Sequence, residues 1–307
     1  MKKVLLALVL APLLLTAIDG QVQACTLWAA TGGWTQDRGT LVGKNRDRSP
    51  EQVQELRFEA PPGGLRFLVL HPRGDQPRDI AGINEKGLVV VTAAASCIPL
   101  RERSRAFYLE GFLDRLLTSC ATVEAVINKR TWFTAPAFYL VADRFKIALI
   151  EVGLQERRAI QVTDHELLCH TNHYLDKNLL DGNRQFNLGS YIRLTQIQYL
   201  LKSQRRPFTF RDFIRMSQDC RDGPDWSIWR AGSAAGKVHT LATWVVSLPP
   251  DGPPLLYVKT ANPGEPPQAR LIKLTPVFWA EGFKGNSGVI STRSKGTESE
   301  SAEPHCF

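Results

Sequence analysis

The sequence predicts an α+β fold with mostly antiparallel sheets. Three observations carry this prediction. Strand-like runs come in blocks, helices come in pairs between those blocks, and some apolar runs are joined by reversals too short for a parallel crossover. The regular β-α alternation of a parallel sheet is absent.

The first block predicts strands over 26–30, 40–45, 65–71 and 87–95. Gly and Pro clusters such as Pro61-Pro62-Gly63-Gly64 separate several of them. Phe112, Leu113, Leu116 and Leu117 recur at helical spacing and predict a helix over 107–117. Thr122 is placed to cap a second helix through about 128. Two hairpins are expected next. One joins 138–142 to 146–152 through Asp143-Arg144, and the other joins 158–163 to 166–170 through Asp164-His165. Helices follow over 190–202 and 209–217, the first with Ser190 as N-cap and with Ile192, Ile197, Leu200 and Leu201 turned inward. Strands over 238–248 and 255–260, linked by a Pro-Pro-Asp-Gly-Pro-Pro run, close the pattern. No internal repeat stands out. From about residue 285 the chain is rich in Ser, Glu, Lys and Gly, so 285–307 is expected to be a disordered tail.

The N-terminus reads as an export signal. Lys2 and Lys3 precede an apolar run over 4–18, interrupted only by Thr16, which is too short to span a bilayer comfortably. Val22-Gln23-Ala24 fits the small-x-small pattern of a signal peptidase site. Cleavage is therefore expected between Ala24 and Cys25, giving a signal peptide over 1–24, one domain over 25–284, and a periplasmic or secreted product. No later run approaches membrane length, so no transmembrane segment is expected in the mature chain.

Composition is that of a globular protein, 43% hydrophobic and 22% charged, and so argues against an intrinsically disordered chain. The net charge of +8 is dispersed and forms no long basic block, so a nucleic-acid partner is not expected. The six cysteines show neither CxxC nor a Cys/His metal spacing, which speaks against a zinc site. Cys97, Cys120, Cys169, Cys220 and Cys306 are free to pair in an oxidising compartment.

Cys25 is the most informative residue. A thiol attacks only as the thiolate and needs a base. An N-terminal cysteine carries one in its own α-amine, whose ordinary pKa of about 7.7–8.0 leaves an appreciable fraction neutral near pH 7. Cleavage after Ala24 would thus put nucleophile and base on one residue. Lys44, in the run Gly43-Lys44-Asn45-Arg46-Asp47, could lower the thiol pKa. Asp47 could accept hydrogen bonds from the α-ammonium. Strand alternation sets 44 and 47 on opposite faces, so a joint action on Cys25 calls for a bend. Asn172, at the end of a strand, could donate to a developing oxyanion. Arg193, one turn into its helix, could reach a substrate carbonyl or carboxylate.

The order Cys25, GKNRD (43–47), INEKGL (83–88), TNH (171–173) and S-x-x-R (190–193) resembles the N-terminal-nucleophile hydrolases. It is similar to the choloylglycine hydrolase and penicillin V acylase branch, and to the acyl-CoA:6-aminopenicillanic acid acyltransferase-like relatives. The latter are matched also by Asn172-His173, by DWSIWR (225–230) and by Thr240-Leu241-Ala242. The resemblance implies an αββα sandwich and hydrolysis of linear, non-peptide C–N amide bonds of an N-acyl substrate. Penicillin V, conjugated bile acids, N-acyl-homoserine lactones and fatty acyl amides are the candidate classes. It also implies Cys25 as nucleophile and base, Asp47 beside the α-amine, Asn172 as oxyanion donor and Arg193 as the later active-site arginine. No metal or organic cofactor is required, acyl transfer to an amine is the close alternative, and a homo-oligomer is compatible.

Two departures stand out. Lys44 replaces the family's usual arginine, keeping the charge but losing the planar fork. The second asparagine of bile-salt-type members has no counterpart in 89–94, so a backbone N–H or Thr92 would have to be the second oxyanion donor. A competing reading takes 22–25 as a lipobox and the chain as a non-enzymatic lipoprotein anchored through Cys25, but Gln23 suits that pathway poorly and the downstream motifs stay unexplained.

Overall fold

The computed structural model describes residues 24–74 and 78–283. Residues 1–23 of the expected signal peptide and the expected tail over 285–307 lie outside the described residues.

The described residues form two antiparallel sheets packed face to face, with helices on both outer surfaces. The strands, in chain order, are β1 (Ala24–Thr31), β2 (Thr40–Arg48), β3 (Gln54–Glu59), β4 (Phe67–Pro72), β5 (Ala81–Asn84), β6 (Val89–Ala94), β7 (Ala137–Ala142), β8 (Ile147–Val152), β9 (Arg158–Thr163), β10 (Leu167–His170), β11 (His239–Leu248), β12 (Leu255–Thr260) and β13 (Gln268–Lys273). One sheet has the order β10-β1-β2-β11-β12-β13 and the other β3-β4-β5-β6-β7-β8-β9. The helices are α1 (Leu100–Arg103), α2 (Phe112–Ser119), α3 (Val123–Ile127), α4 (Leu188–Ser203), α5 (Phe210–Ser217) and α6 (Pro276–Glu281).

Side-chain alternation builds three apolar layers from the two sheets. Between the sheets, Leu27, Ala29, Val42 and Trp244 meet Leu68, Leu70, Val91 and Leu140. On the outer face of the second sheet, Val69, Val90 and Tyr139 pack on Phe112, Leu116 and Leu117 of α2 and on Val123 of α3. On the outer face of the first sheet, Trp28, Leu41 and Val245 pack on Ile197 and Leu200 of α4 and on Phe213 and Met216 of α5. This is the αββα sandwich that the resemblance implies. Gly43 is fixed by this packing. It pairs with Trp28 across β1 and β2, and a Cβ at 43 would lie 2.1 Å from the indole.

The expected elements are present, with instructive differences. Strand β2 does not stop at Asn45. It runs on through the charged stretch to Arg48, because Lys44, Asn45, Arg46 and Asp47 are buried rather than a solvated exit. No break in the strand separates 44 from 47, and the register with β11 shifts between Thr240 and Ala242, opposite Asp47 and Arg46. The second expected hairpin is not one. Strand β9 ends the second sheet beside β8, whereas β10 crosses over to pair with β1 in the first. Trp34 holds this crossing by donating from its indole N–H to the His165 carbonyl at 2.7 Å. Strands β3 and β13 escape sequence detection because each is an edge strand, half-exposed and mixed in polarity (QELRFE, QARLIK).

Helix α4 is capped by Asn187, whose side chain accepts from the Ser190 N–H, rather than by Ser190 itself. Ile192 is only half-buried. The buried place at that point of α4 belongs to Arg193. Thr122 caps α3 as expected, accepting from the Ala125 N–H, and Thr209 with Asp212 forms a capping box on α5.

Candidate active site

The antiparallel register of β1 and β2 organises the site. Cys25 pairs with Arg46, and Ala24 pairs with Asp47. Cys25 is buried, 6% exposed, at the base of a cleft of about 350 Å³ at one end of the sandwich, between the two sheets. A wider hollow of about 730 Å³ lies beside Arg205, Thr209 and Arg221, where α4 meets α5. It holds none of the five candidate residues.

On the cleft side, Lys44 lies 3.5 Å from the Cys25 sulfur through its Nζ and also donates to the Thr92 carbonyl. Burial pulls the Lys44 ammonium below the usual lysine range, and the adjacent Cys25 sulfur opposes that shift. The lysine nitrogen is thus a dehydrated donor at contact distance from the sulfur. Thr92 is not available as an oxyanion donor, since its N–H and its hydroxyl both go to the Ile80 carbonyl.

The Cys25 nitrogen faces Asn172. Its N–H donates to Asn172 Oδ1 at 2.8 Å, and Arg193 donates to the same oxygen at 3.0 Å. Asn172 Nδ2 donates to the Ala94 carbonyl at 2.9 Å. Two donors on Oδ1 fix the orientation of the amide. Of its two lone pairs and two N–H bonds, one N–H is left without a partner among the described residues.

The strand end that carries Asn172 is held by α4. Ser190, freed from capping, accepts from the Asn172 backbone N–H at 2.9 Å and bonds Thr171 Oγ1 at 3.0 Å and His173 Nδ1 at 2.8 Å. Ser190 and Arg193 lie one turn apart on α4 and so clamp both the backbone and the side chain of Asn172. This explains the S-x-x-R spacing physically, with Ser190, which the sequence suggests as a cap and as part of that motif, bonded to Asn172 instead. Burial pulls the His173 pKa down to about 4, with His170 adding to it, so this ring is neutral at pH 7.

Asp47 occupies the opposite face of β2. It accepts from Thr240 Oγ1 at 2.8 Å and lies 3.7 Å from Arg193 and 3.9 Å from Arg230. Its side chain is fully buried, and burial raises its pKa against the pull of the two arginines. Asp47 Oδ2 has no hydrogen-bond partner. In the register of β1 and β2, Asp47 pairs with Ala24, the residue that precedes Cys25. Arg193 bridges the two halves of the site, touching both Asp47 and Asn172. All five candidate residues are therefore drawn together around residue 25. Thr240 and Arg230 join them, two residues that the sequence marks only as parts of motifs.

Removal of the Asp47 carboxylate leaves two buried arginines facing each other. Asp47→Ala is expected to destabilise the fold by about 3–5 kcal/mol. Chemical denaturation measures this directly, and a change below about 1 kcal/mol would mean that the ion pairs are not holding the site.

Among the described residues, no group of three or more His, Cys, Asp or Glu side chains is placed to hold a metal ion, and no helix is long and apolar enough to cross a membrane. Cys25, Cys97, Cys120 and Cys169 are free, whereas Cys220 is disulfide-bonded. Burial pushes the Cys97 and Cys169 thiols up to about 12. Iodoacetamide near pH 7 is therefore expected to alkylate Cys25 ahead of these two, as peptide mass mapping would show. Equal labelling would argue against an activated sulfur at 25.

Comparison with known proteins gives a family match and matches among solved structures. The sequence model of the acyl-coenzyme A:6-aminopenicillanic acid acyl-transferase family matches residues 34–260, more than two thirds of the chain. Among solved structures, penicillin V acylase from Agrobacterium tumefaciens is similar at 14% sequence identity and a TM-score of 0.48, over 81% of this chain and 86% of that one. A comparison with the curated proteins finds no match. The family match begins after Cys25 and so does not include that residue.

Proposed function

Because the chain belongs to the acyl-coenzyme A:6-aminopenicillanic acid acyl-transferase family, we propose that it is an exported cysteine amidohydrolase of the N-terminal-nucleophile type, cutting the linear C–N amide bond of an N-acyl substrate. Membership carries acyl-transfer or amide-hydrolase chemistry. Export, the nucleophile and the bond cut are the finer reading. One observation carries it most: the sulfur and the nitrogen of Cys25 face two separate sets of groups, Lys44 on one side and Asn172 on the other.

In this mechanism signal cleavage turns the Cys25 amide nitrogen into an α-amine. Asn172 Oδ1 and the open Asp47 Oδ2 are then its acceptors. The neutral amine takes the thiol proton, and the Lys44 charge favours the thiolate. The sulfur attacks the amide carbonyl, with the remaining Asn172 N–H held for the oxyanion. The α-ammonium returns its proton to the leaving amine, and the C–N bond breaks. Water, activated by the same amine, releases the acid from the thioester. An acceptor amine in place of water turns the same thioester into acyl transfer, the reaction that the family's description names.

One further feature supports this reading. The buried sulfur leaves little room for a thioether-linked diacylglycerol, which argues against the lipoprotein.

The test at Asn172 is kinetic. Asn172→Ala is expected to lower kcat by about 10²–10³, roughly 2.7–4 kcal/mol of transition-state stabilisation. A loss confined to KM, with kcat intact, would remove Asn172 from the chemistry.

A further inference from the structure

Glu151 and His170 are buried ionisable residues that the mechanism above does not use. Glu151 lies in β8 of the second sheet, and His170 ends β10 of the first, two residues before Asn172. Their side chains are 4% and 0% exposed. They meet between the sheets, with His170 Nε2 at 2.9 Å from Glu151 Oε1. The imidazole also packs against Phe138, ring centres 4.2 Å apart, and its Nδ1 donates to the Thr171 carbonyl at 3.1 Å. A polar pair in such a place is costly unless its hydrogen bonds are complete.

Glu151 completes its own on the other side of Asn172. Its Oε1 accepts from the Leu175 N–H at 3.0 Å, and its Oε2 accepts from the N–H groups of Leu175 and Asp176, each at 3.2 Å. One carboxylate thus grips the chain both before and after Asn172. The Tyr174 hydroxyl adds to this hold, donating at 2.7 Å to the carbonyl of Val152, the next residue of β8. Ser190 and Arg193 fix Asn172 relative to α4. Glu151 fixes it relative to the second sheet, where the Ala94 carbonyl of β6 accepts from Asn172 Nδ2. Cys25 belongs to the first sheet, so the placement of the amide against the sulfur depends on how the two sheets are tied here.

We infer that Glu151 is a positioning residue for the reaction. Through His170 on one side, and through the Leu175 and Asp176 N–H groups on the other, it sets the place of Asn172 against Cys25. This rests on the amide-cleaving reading of Cys25. A misplacement of about 1 Å in a group that meets the transition state costs about 10² in rate, so a residue that never touches substrate can control kcat.

The test is a mutant cycle read in kcat and KM for acetyl, hexanoyl and decanoyl p-nitroanilides. Glu151→Gln keeps the shape of the side chain but turns an NH2 group toward donors. It is expected to lower kcat about 100-fold with KM within about twofold of the parent. In the Asn172→Ala background the same change should cost no more than about twofold, because the group it positions is gone. An unchanged kcat in Glu151→Gln, or equal losses in both backgrounds, overturns the inference and leaves the amidase reading standing. If circular dichroism shows that Glu151→Gln does not fold, the comparison passes to His170. His170→Gln keeps a donor for Glu151 and should retain more of kcat than His170→Leu; equal rates overturn the inference. The side-chain amide signals of Asn172, identified in NMR spectra by their loss in Asn172→Ala, give a readout that needs no turnover. They should shift in the folded Glu151 or His170→Leu variant. A parent that cleaves none of the anilides defeats the amidase reading, while that shift keeps Glu151 as the group that places Asn172. Unmoved signals overturn the inference with or without turnover.

Discussion

Cys25→Ala is expected to abolish amide turnover while the protein folds normally. The side chain lies at the edge of the inter-sheet layer and makes one polar contact through its sulfur, to Lys44, which keeps its bond to the Thr92 carbonyl. Its removal therefore costs little packing, and the circular dichroism spectrum and the thermal midpoint should stay close to those of the parent. The chemistry has no substitute nucleophile. Cys97 and Cys169 are held as thiols by burial, and among the described residues no other cysteine lines the cleft. Loss of a covalent nucleophile that acts as a unit with its base typically costs on the order of 10⁶ in kcat, about 8 kcal/mol at 1.36 kcal/mol per tenfold. An Ala variant with more than a hundredth of the parent rate would assign the reaction to other groups.

Retention of residues 1–24 is expected to be nearly as damaging, for a different reason. In the uncleaved chain the nitrogen of Cys25 belongs to a peptide bond, donates to Asn172 Oδ1 and has no basic lone pair. The nucleophile, Lys44 and Asn172 are all in place, yet nothing accepts the thiol proton. General-base catalysis contributes about 10²–10⁴, so the uncleaved protein should fall short of the cleaved one by that factor. The two forms should fold alike, because Ala24 already sits in β1 opposite Asp47. Equal activity of the two forms, with intact masses confirming their termini, would place the base elsewhere.

The pH profile of the cleaved form should rise through the pKa of the α-amine. That group must be neutral to take the proton, so activity is low when the amine is protonated and grows as pH increases.

Much of this was readable in the chain, for identifiable reasons. Strands such as β7 and β8 pair locally through a tight turn, so periodicity and turn residues suffice. The crossover from β9 to β10 was not readable, because a two-residue gap between apolar runs looks the same whether the strands pair or part. What separates them is the open edge of β1, a partner more than a hundred residues upstream.

The site shows the same division. Cys25, Lys44, Asp47, Asn172 and Arg193 were each visible as a residue type in a motif, but their sidedness was not. A bend seemed necessary to join Lys44 and Asp47. Instead β2 continues unbroken and each serves residue 25 from its own face, Lys44 at the sulfur and Asp47 in register with Ala24. The hydroxyl of Ser190 was misread as a cap because the sequence hides Asn187 doing that work.

The most direct measurement traps the intermediate. The active protein is mixed with an N-acyl p-nitroanilide, quenched in acid within the first turnover, digested, and mapped by mass. The account predicts an N-terminal peptide that begins at Cys25 and carries one acyl group on its sulfur, absent from the Cys25→Ala protein. An acyl group on any other residue, or full activity from protein whose residue 25 is lipidated or still joined to Ala24, would contradict it.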